Sequence, residues 1–351
     1  MESARDLSRA RLIAFAGLGL LAALLAFYAT VTLGSLGSAR LQDAVGRWVY
    51  DAVVLGASIL VLARALAAPT ERRAWLALGV GLLLWALGQT YYSLVLYYAS
   101  PAPFPSPSDA LFLAFYPGIY LALVLLLRAR VAHVEPLGWV DGLIGALAIA
   151  AVAAAAIFPP VLEALGGSAL GVAVSLAYPC ADLVLLGLLA GAVAASRWRT
   201  QGIWLLIALA LLLFGVSDVV YLSVGGQSTE ALNLASVGWP LAFLLLALAS
   251  WLRGPVAVAT PAGEGRRRIA VPIGLAATCV GLLALGSFES IGAAAVGLGV
   301  ACLAAVLVRL AITFEQNTRI SVGETAERMS KAEPLYVQGS DGLDRGSVLA
   351  W

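Results

Sequence analysis

Ten runs of apolar residues, each long enough to cross a lipid bilayer, recur along this chain at about 12–34, 48–67, 75–98, 109–130, 138–157, 170–195, 202–223, 232–252, 270–287 and 290–314. About 20 apolar residues in a helix span the roughly 30 Å hydrocarbon core, because an α-helix rises about 1.5 Å per residue. Inside lipid each backbone N–H and C=O of such a run must find its partner within the run, which only the α-helix allows. The expected fold class is therefore all-α, a polytopic membrane protein of about ten transmembrane helices arranged as repeated two-helix hairpins. Composition agrees: the 351 residues are 62% hydrophobic and 12% charged, against about half and about a quarter in soluble domains. The net charge of +1 offers no basic face, so nucleic acid is excluded as a partner and the lipid bilayer is expected instead. The first run is too long for a signal-peptide core and lacks a clear cleavage site, so it is expected to remain as an anchor.

Arginines mark the loops. Arg5, Arg9 and Arg11 precede the first run; Arg64, Arg72 and Arg73 follow the second, Arg128 and Arg130 the fourth, Arg197 and Arg199 the sixth, Arg253 and Arg266 to Arg268 the eighth, and Arg309 and Arg319 flank the end of the tenth. On the other side only the first loop carries arginines, Arg40 and Arg47. By the positive-inside rule both termini are expected in the cytoplasm. Lys331 is the only lysine and alanine is abundant, a codon bias that fits a GC-rich bacterial coding sequence, and the expected localisation is the bacterial cytoplasmic (inner) membrane. The expected organisation is a cytoplasmic N-terminus at 1–11, a transmembrane domain at 12–314, a cytoplasmic helix at 308–330 and a short tail at 331–351, expected to be disordered.

Metal and cofactor chemistry finds little support. Cys180, Cys279 and Cys302 lie far apart in apolar runs and read as small buried hydrophobes. The single histidine, His133, falls in a loop beside Arg128 and Arg130, which leaves no intramembrane pair for haem or a metal. No metal site and no cofactor are expected.

A repeat runs through the middle of the chain. Trp75, Trp139 and Trp204 open the third, fifth and seventh runs, about 64 residues apart, and Tyr116-Pro117, Tyr178-Pro179 and Trp239-Pro240 sit in the fourth, sixth and eighth, about 61 apart. Aligning 75–98 with 204–226 sets Gln89 opposite Asp218 and Tyr92 opposite Tyr221. A hairpin repeated in one orientation implies a pseudo-rotation axis near the membrane normal, unlike the inverted repeats of many transporters. The plainer alternative is that tryptophan marks interfaces and proline is common in membrane helices.

Counting rise along each run puts Gln89, Tyr92, Tyr116, Tyr178, Asp218, Tyr221 and Trp239 in the outer third of the bilayer, with Asp182 nearer the midplane. Pro117, Pro179 and Pro240 are expected to kink their helices at the same depth, each freeing a carbonyl four residues back. Asp182 and Asp218 have no intramembrane lysine or arginine in view, and an unpaired carboxylate at mid-bilayer costs about 3 kcal/mol or more. Tyr92, Tyr116, Tyr178, Ser217 and Tyr221 are the candidate donors. Two readings stay open: a polar, aromatic-lined ligand pocket between runs three and eight, or hydrogen bonds that merely join helices. Asp109, after PAPFPSPS, is expected to act as a helix cap.

The segments PSPSDALFLAFYPGIYLALVLLLRAR, GWVDGLIGALAIAAVAAAA, SLAYPCADLVLLGLLAGAVA, WLLIALALLLFGVSDVVYL and LASVGWPLAFLLLALASW together resemble the multi-pass membrane sensor region of actinobacterial-type GGDEF/EAL signalling proteins, over about residues 75–320. The resemblance implies a sensory module for a small-molecule or lipid ligand, working as a homodimer, with VRLAITFEQNTRI at 308–320 as the helix that carries the signal to a cyclic di-GMP domain. The segment that follows, 321–351, contains no GGDEF or EAL motif, so no diguanylate cyclase activity is expected of this chain. The runner-up is a small-molecule transporter, which ten runs, intramembrane acids and the glycine-rich GLGVACLAA at 297–305 also suit. An intramembrane enzyme built on Asp182 and Asp218 is disfavoured because their flanks, YPCADLV and GVSDVVY, resemble no motif of aspartyl membrane proteases.

Overall fold

The computed structural model describes residues 2–67, 69, 71–100, 102–130, 136–156, 168–195, 202–224, 228–252, 265–286 and 292–332. Among these residues the chain forms helices and no strands. We number the helices α1 (Glu2–Leu33), α2 (Ala39–Ala67), α3 (Arg72–Leu96), α4 (Pro107–Arg130), α5 (Pro136–Ala156), α6 (Ala169–Ala195), α7 (Gly202–Val224), α8 (Thr229–Trp251), α9 (Gly265–Leu285) and α10 (Ala293–Ala332). Among the described residues eight of them are long and apolar enough to cross a membrane. The protein is thus an all-helical polytopic membrane protein. The expected runs at 138–157 and 270–287 form helices of 21 residues each, Pro136–Ala156 and Gly265–Leu285.

Connectivity constrains the path more tightly than hydropathy. At one end of the bundle Arg11 of α1 donates to the Trp251 carbonyl of α8, and Arg64 of α2 donates to the Ser250 carbonyl. At the other end Tyr28 of α1 donates to Ser236 of α8, and Arg47 of α2 donates to the Ser93 carbonyl of α3. Successive helices therefore alternate in direction from α1 to α4. α4 leaves its tyrosine-rich first half at the Tyr28 end, and Tyr178 in the first half of α6 bonds Asp109 at that same end. The chain between them, with α5 as its described helix, must cross back.

Packing divides the helices into two groups. A large buried cluster joins α1 to α4 with α6, α7 and α8, centred on Trp75, Phe115, Phe214 and Phe243. A second, smaller cluster joins α5, α9 and α10 through Ile144, Ala148, Cys279, Cys302 and Val306. Small residues let the backbones approach, as membrane helices require where lipid supplies no hydrophobic drive for helix association. A Cβ on Gly118, next to Pro117, would lie 2.9 Å from the Cα of Gly81, and one on Gly187 of α6 would lie 2.6 Å from the Cβ of Ala146 in α5.

Some expectations need correction. Cys279 and Cys302 are buried, but Cys180 is exposed. Trp75 and Trp204 are buried in the core. His133 and residues 333–351 lie outside the described residues.

Candidate functional site

The expected polar residues converge at the Tyr28 end of the large cluster, around a cavity of about 450 Å³. Its walls come from the late halves of α1, α3 and α7, the early halves of α2, α4, α6 and α8, and the α3–α4 connection. Alternating helix direction explains the pattern, since only those halves share one end. Gln89, Tyr92, Tyr116, Tyr178, Asp218, Tyr221 and Trp239 all line the cavity, so the two pairs matched by the internal alignment, Gln89 with Asp218 and Tyr92 with Tyr221, face the same space.

Asp182 stands one layer behind this wall. It does not line the cavity; instead the Tyr116 hydroxyl donates to Asp182 Oδ1 at 2.8 Å and approaches Asp218 Oδ2 at 3.1 Å. One phenolic hydrogen cannot serve two acceptors fully. Both contacts are complete when one carboxyl carries a proton and donates to the tyrosine oxygen. Asp218 Oδ1 accepts from Trp239 Nε1 at 2.6 Å, a donor outside the expected set, while Ser217 is spent on the Leu213 carbonyl of its own helix. Tyr221 and Tyr92 meet other rings, Trp239 at 5.6 Å and Tyr97 at 6.4 Å between centroids.

The three prolines lie within helices α4, α6 and α8. Each follows an aromatic residue that carries one of these hydrogen bonds: Tyr116, Tyr178 and Trp239. The aromatic-proline step thus places a donor ring at the cavity with a proline beside it inside the continuous helix.

Asp109 does both of the things open to it. Its Oδ2 accepts from the Ser106 backbone N–H at 2.7 Å and from the Ser106 hydroxyl at 2.8 Å. With Pro107 in the first helical position, this is the back-bonding half of a capping box. Its Oδ1 accepts from the Tyr178 hydroxyl at 2.9 Å, and the residue lines the cavity.

Several site residues escape the sequence pattern. Tyr28, Tyr50, Trp85 and Phe112 line the cavity, yet all four lie outside the aromatic-proline steps and two belong to helices before the repeat. Trp85 is the hub, with its ring 5.0 Å from Phe112, 6.4 Å from Trp239 and 6.5 Å from Tyr50. Two π-helical turns, Val45–Val49 in α2 and Tyr92–Leu96 in α3, also border it through Gly46, Tyr92 and Leu96. Such turns cluster at functional sites. Arg47 ties the two together: its guanidinium donates twice to the Ser93 carbonyl, at 3.1 and 2.6 Å, and lies about 5 Å from the rings of Trp48, Tyr97 and Tyr98. Asp51, buried in α2, accepts from Ser93 and completes a Gln89–Ser93–Asp51 chain. No charge pattern in the sequence distinguishes it.

Among the described residues no group of histidine, cysteine and carboxylate side chains is arranged to hold a metal. No protein-family model, no curated protein and no solved structure matches the chain.

Proposed function

We propose that the chain is the sensory module of a bacterial inner-membrane signalling protein, with both termini cytoplasmic and the cavity in the outer half of the bilayer. A small-molecule or lipid ligand entering the cavity biases the aromatic-proline helices between two arrangements, and α10 carries the difference to a cyclic di-GMP output domain of the kind found in the proteins it resembles. Such a ligand acts only through unequal affinity for the two arrangements.

The observation that carries this reading is a contiguous path from the cavity to α10. Asp218 on the wall is joined through Tyr116 to Asp182 of α6. α6 meets α5 where Gly187 touches Ala146. α5 is fastened to α10 by a buried ion pair, Asp141 with Arg309. α10 then continues without a break from Ala293 to Ala332, about 24 Å beyond Gln316, the last residue of its apolar stretch, at 1.5 Å per residue. A closed floor favours sensing over transport: beneath the cavity Leu78, Leu82, Phe214, Phe243 and Leu246 are each at most 2% exposed, with no polar route onward among them.

The test is a chimera with a diguanylate cyclase domain fused after Ala332. Substitutions along the path, Gly187→Leu and Asp141→Asn, should change cyclic di-GMP output several-fold while membrane insertion is kept. Unchanged output from both inserted variants would sink the sensory reading. Homodimerisation is tested separately by single cysteines placed along 310–320: disulfides with a helical period are expected, and none at any position would exclude the dimer.

A further inference from the structure

The chemistry of the cavity wall selects a ligand class. From its geometry we infer that this cavity binds a small organic monocation, an alkylammonium held over aromatic rings, an assignment that gives the sensory reading its ligand but rests on the cavity alone.

Three observations lead there. The first is a continuous wall of rings. Tyr28, Tyr50, Trp85, Trp239 and Tyr221 follow one another with centroids 5.4, 6.5, 6.4 and 5.6 Å apart, and all five line the cavity. Aromatic faces carry negative potential and attract an alkylammonium without demanding hydrogen bonds from it. The second is charge. The ionisable acids on the wall are Asp109 and Asp218, and no lysine, arginine or histidine is among its lining residues. Arg47, whose guanidinium lies 5.0 Å from the ring of the lining residue Tyr97, donates to the Ser93 carbonyl and Tyr98 and pairs with Asp43. An anion would meet two carboxyl groups and no counter-charge.

The third observation separates a cation from a neutral apolar guest. Three of the ring donors are aimed at the carboxylates: Trp239 and Tyr116 at Asp218, and Tyr178 at Asp109. Their N–H and O–H ends are thereby turned away from the guest, leaving ring faces and partly satisfied carboxylates towards it. The donors keep the acids in place, and the rings take the alkyl groups. A cavity of about 450 Å³ falls within the range of small-molecule sites.

The assay is titration of the purified full chain in lipid nanodiscs, followed by tryptophan fluorescence and calorimetry. The probes are choline, tetraethylammonium and the uncharged carbon analogue of choline, in which a tert-butyl group replaces the trimethylammonium. Saturable binding of at least one cation is expected, about tenfold or more tighter than the analogue. Tyr221→Leu, which removes a ring with no side-chain hydrogen bond among those given above, should weaken the cation several-fold and leave the analogue unchanged. Asp218→Asn should weaken the cation further; should that variant misfold, Tyr221→Leu still decides. Equal affinity for cation and analogue, or no cation binding, overturns the assignment. Neither result touches the chimera experiment, which reads coupling from the cavity wall to α10 whatever the ligand is.

Discussion

Tyr116→Phe is the most informative single substitution, because it removes one hydroxyl and keeps the ring. The ring is 3% exposed and packs against Phe115, Tyr120 and Phe214, so no cavity forms. What is lost is the hydrogen bond to Asp182 at 2.8 Å and the contact with Asp218 at 3.1 Å. Stranding a buried acceptor costs about 1–3 kcal/mol in soluble proteins. Interhelical bonds in membranes average only about 0.6 kcal/mol and reach about 1.7, since unfolded helices in lipid find other partners. Here the upper end applies. Asp182 is 5% exposed and its Oδ2 has no hydrogen-bond partner among the described residues, so Tyr116 is its one donor given by the structure, whereas Asp218 keeps Trp239. We expect a loss of about 1.5 kcal/mol, roughly a tenfold change in the unfolding equilibrium. The assay is a double-mutant cycle of Tyr116→Phe and Asp182→Leu, read by reversible unfolding in mixed detergent micelles. A coupling of about 1 kcal/mol or more is expected. Coupling below about 0.3 kcal/mol would show that the two side chains do not act together, and the path from the cavity into α6 would lose its first step.

Other outcomes follow from the packing and the ion pairs. Gly81→Ala places a Cβ 2.9 Å from the Phe115 carbonyl oxygen and should cost about 1–3 kcal/mol, whereas Gly19→Ala, with nothing within 4 Å, should be neutral or slightly stabilising in the same unfolding assay. Asp141→Asn leaves Arg309, 3% exposed, with a weakened partner and should destabilise by about 3 kcal/mol; Asp141→Leu with Arg309→Met removes both charges and should cost less than the single change. Arg47→Gln deprives the Ser93 carbonyl of its two guanidinium donors and should raise hydrogen exchange selectively at 92–98, with about 1–2 kcal/mol of stability lost.

Arg47 is one of the two arginines, with Arg40, that depart from the arginine pattern. Arginine in a loop orients a membrane protein when it sits freely in water, where keeping it on the cytoplasmic side is favoured. Arg47 is instead committed to a carbonyl, a carboxylate and three rings. It joins the two π turns, from Val45–Val49 to the Ser93 carbonyl within Tyr92–Leu96. The sequence shows the exception but not its cause, because Ser93 is 46 positions away and nothing in its local context announces a shared carbonyl.

Much of the site was legible because depth is a one-dimensional quantity. In a helix of known direction, residue number converts to height at 1.5 Å per step, so Gln89, Tyr116, Tyr178, Asp218 and Trp239 are placed at one level without knowledge of neighbours. Azimuth is not legible in this way. A helix surrounded by lipid and by apolar partners shows no strong difference between its faces, and so the sequence leaves open whether Asp182 faces the cavity or stands behind Tyr116. The same ambiguity hides that Cys180 points outward while Cys279 and Cys302 point in.

The sequence by itself determined the class of fold, the near-regular spacing of aromatic-proline steps and the level at which polar groups gather, because the bilayer imposes helix and length on any chain this apolar. Only the tertiary structure decided which rings meet. It drew Tyr28, Tyr50 and Trp85 from helices outside the aromatic-proline pattern, set one tyrosine hydroxyl between two aspartates and buried Arg309 against Asp141. These pairings depend on the rotation of each helix about its own axis. That rotation is fixed by contacts such as Gly81 with Gly118 and Gly187 with Ala146, where two backbones must be close at once, and neither partner's local sequence records the other.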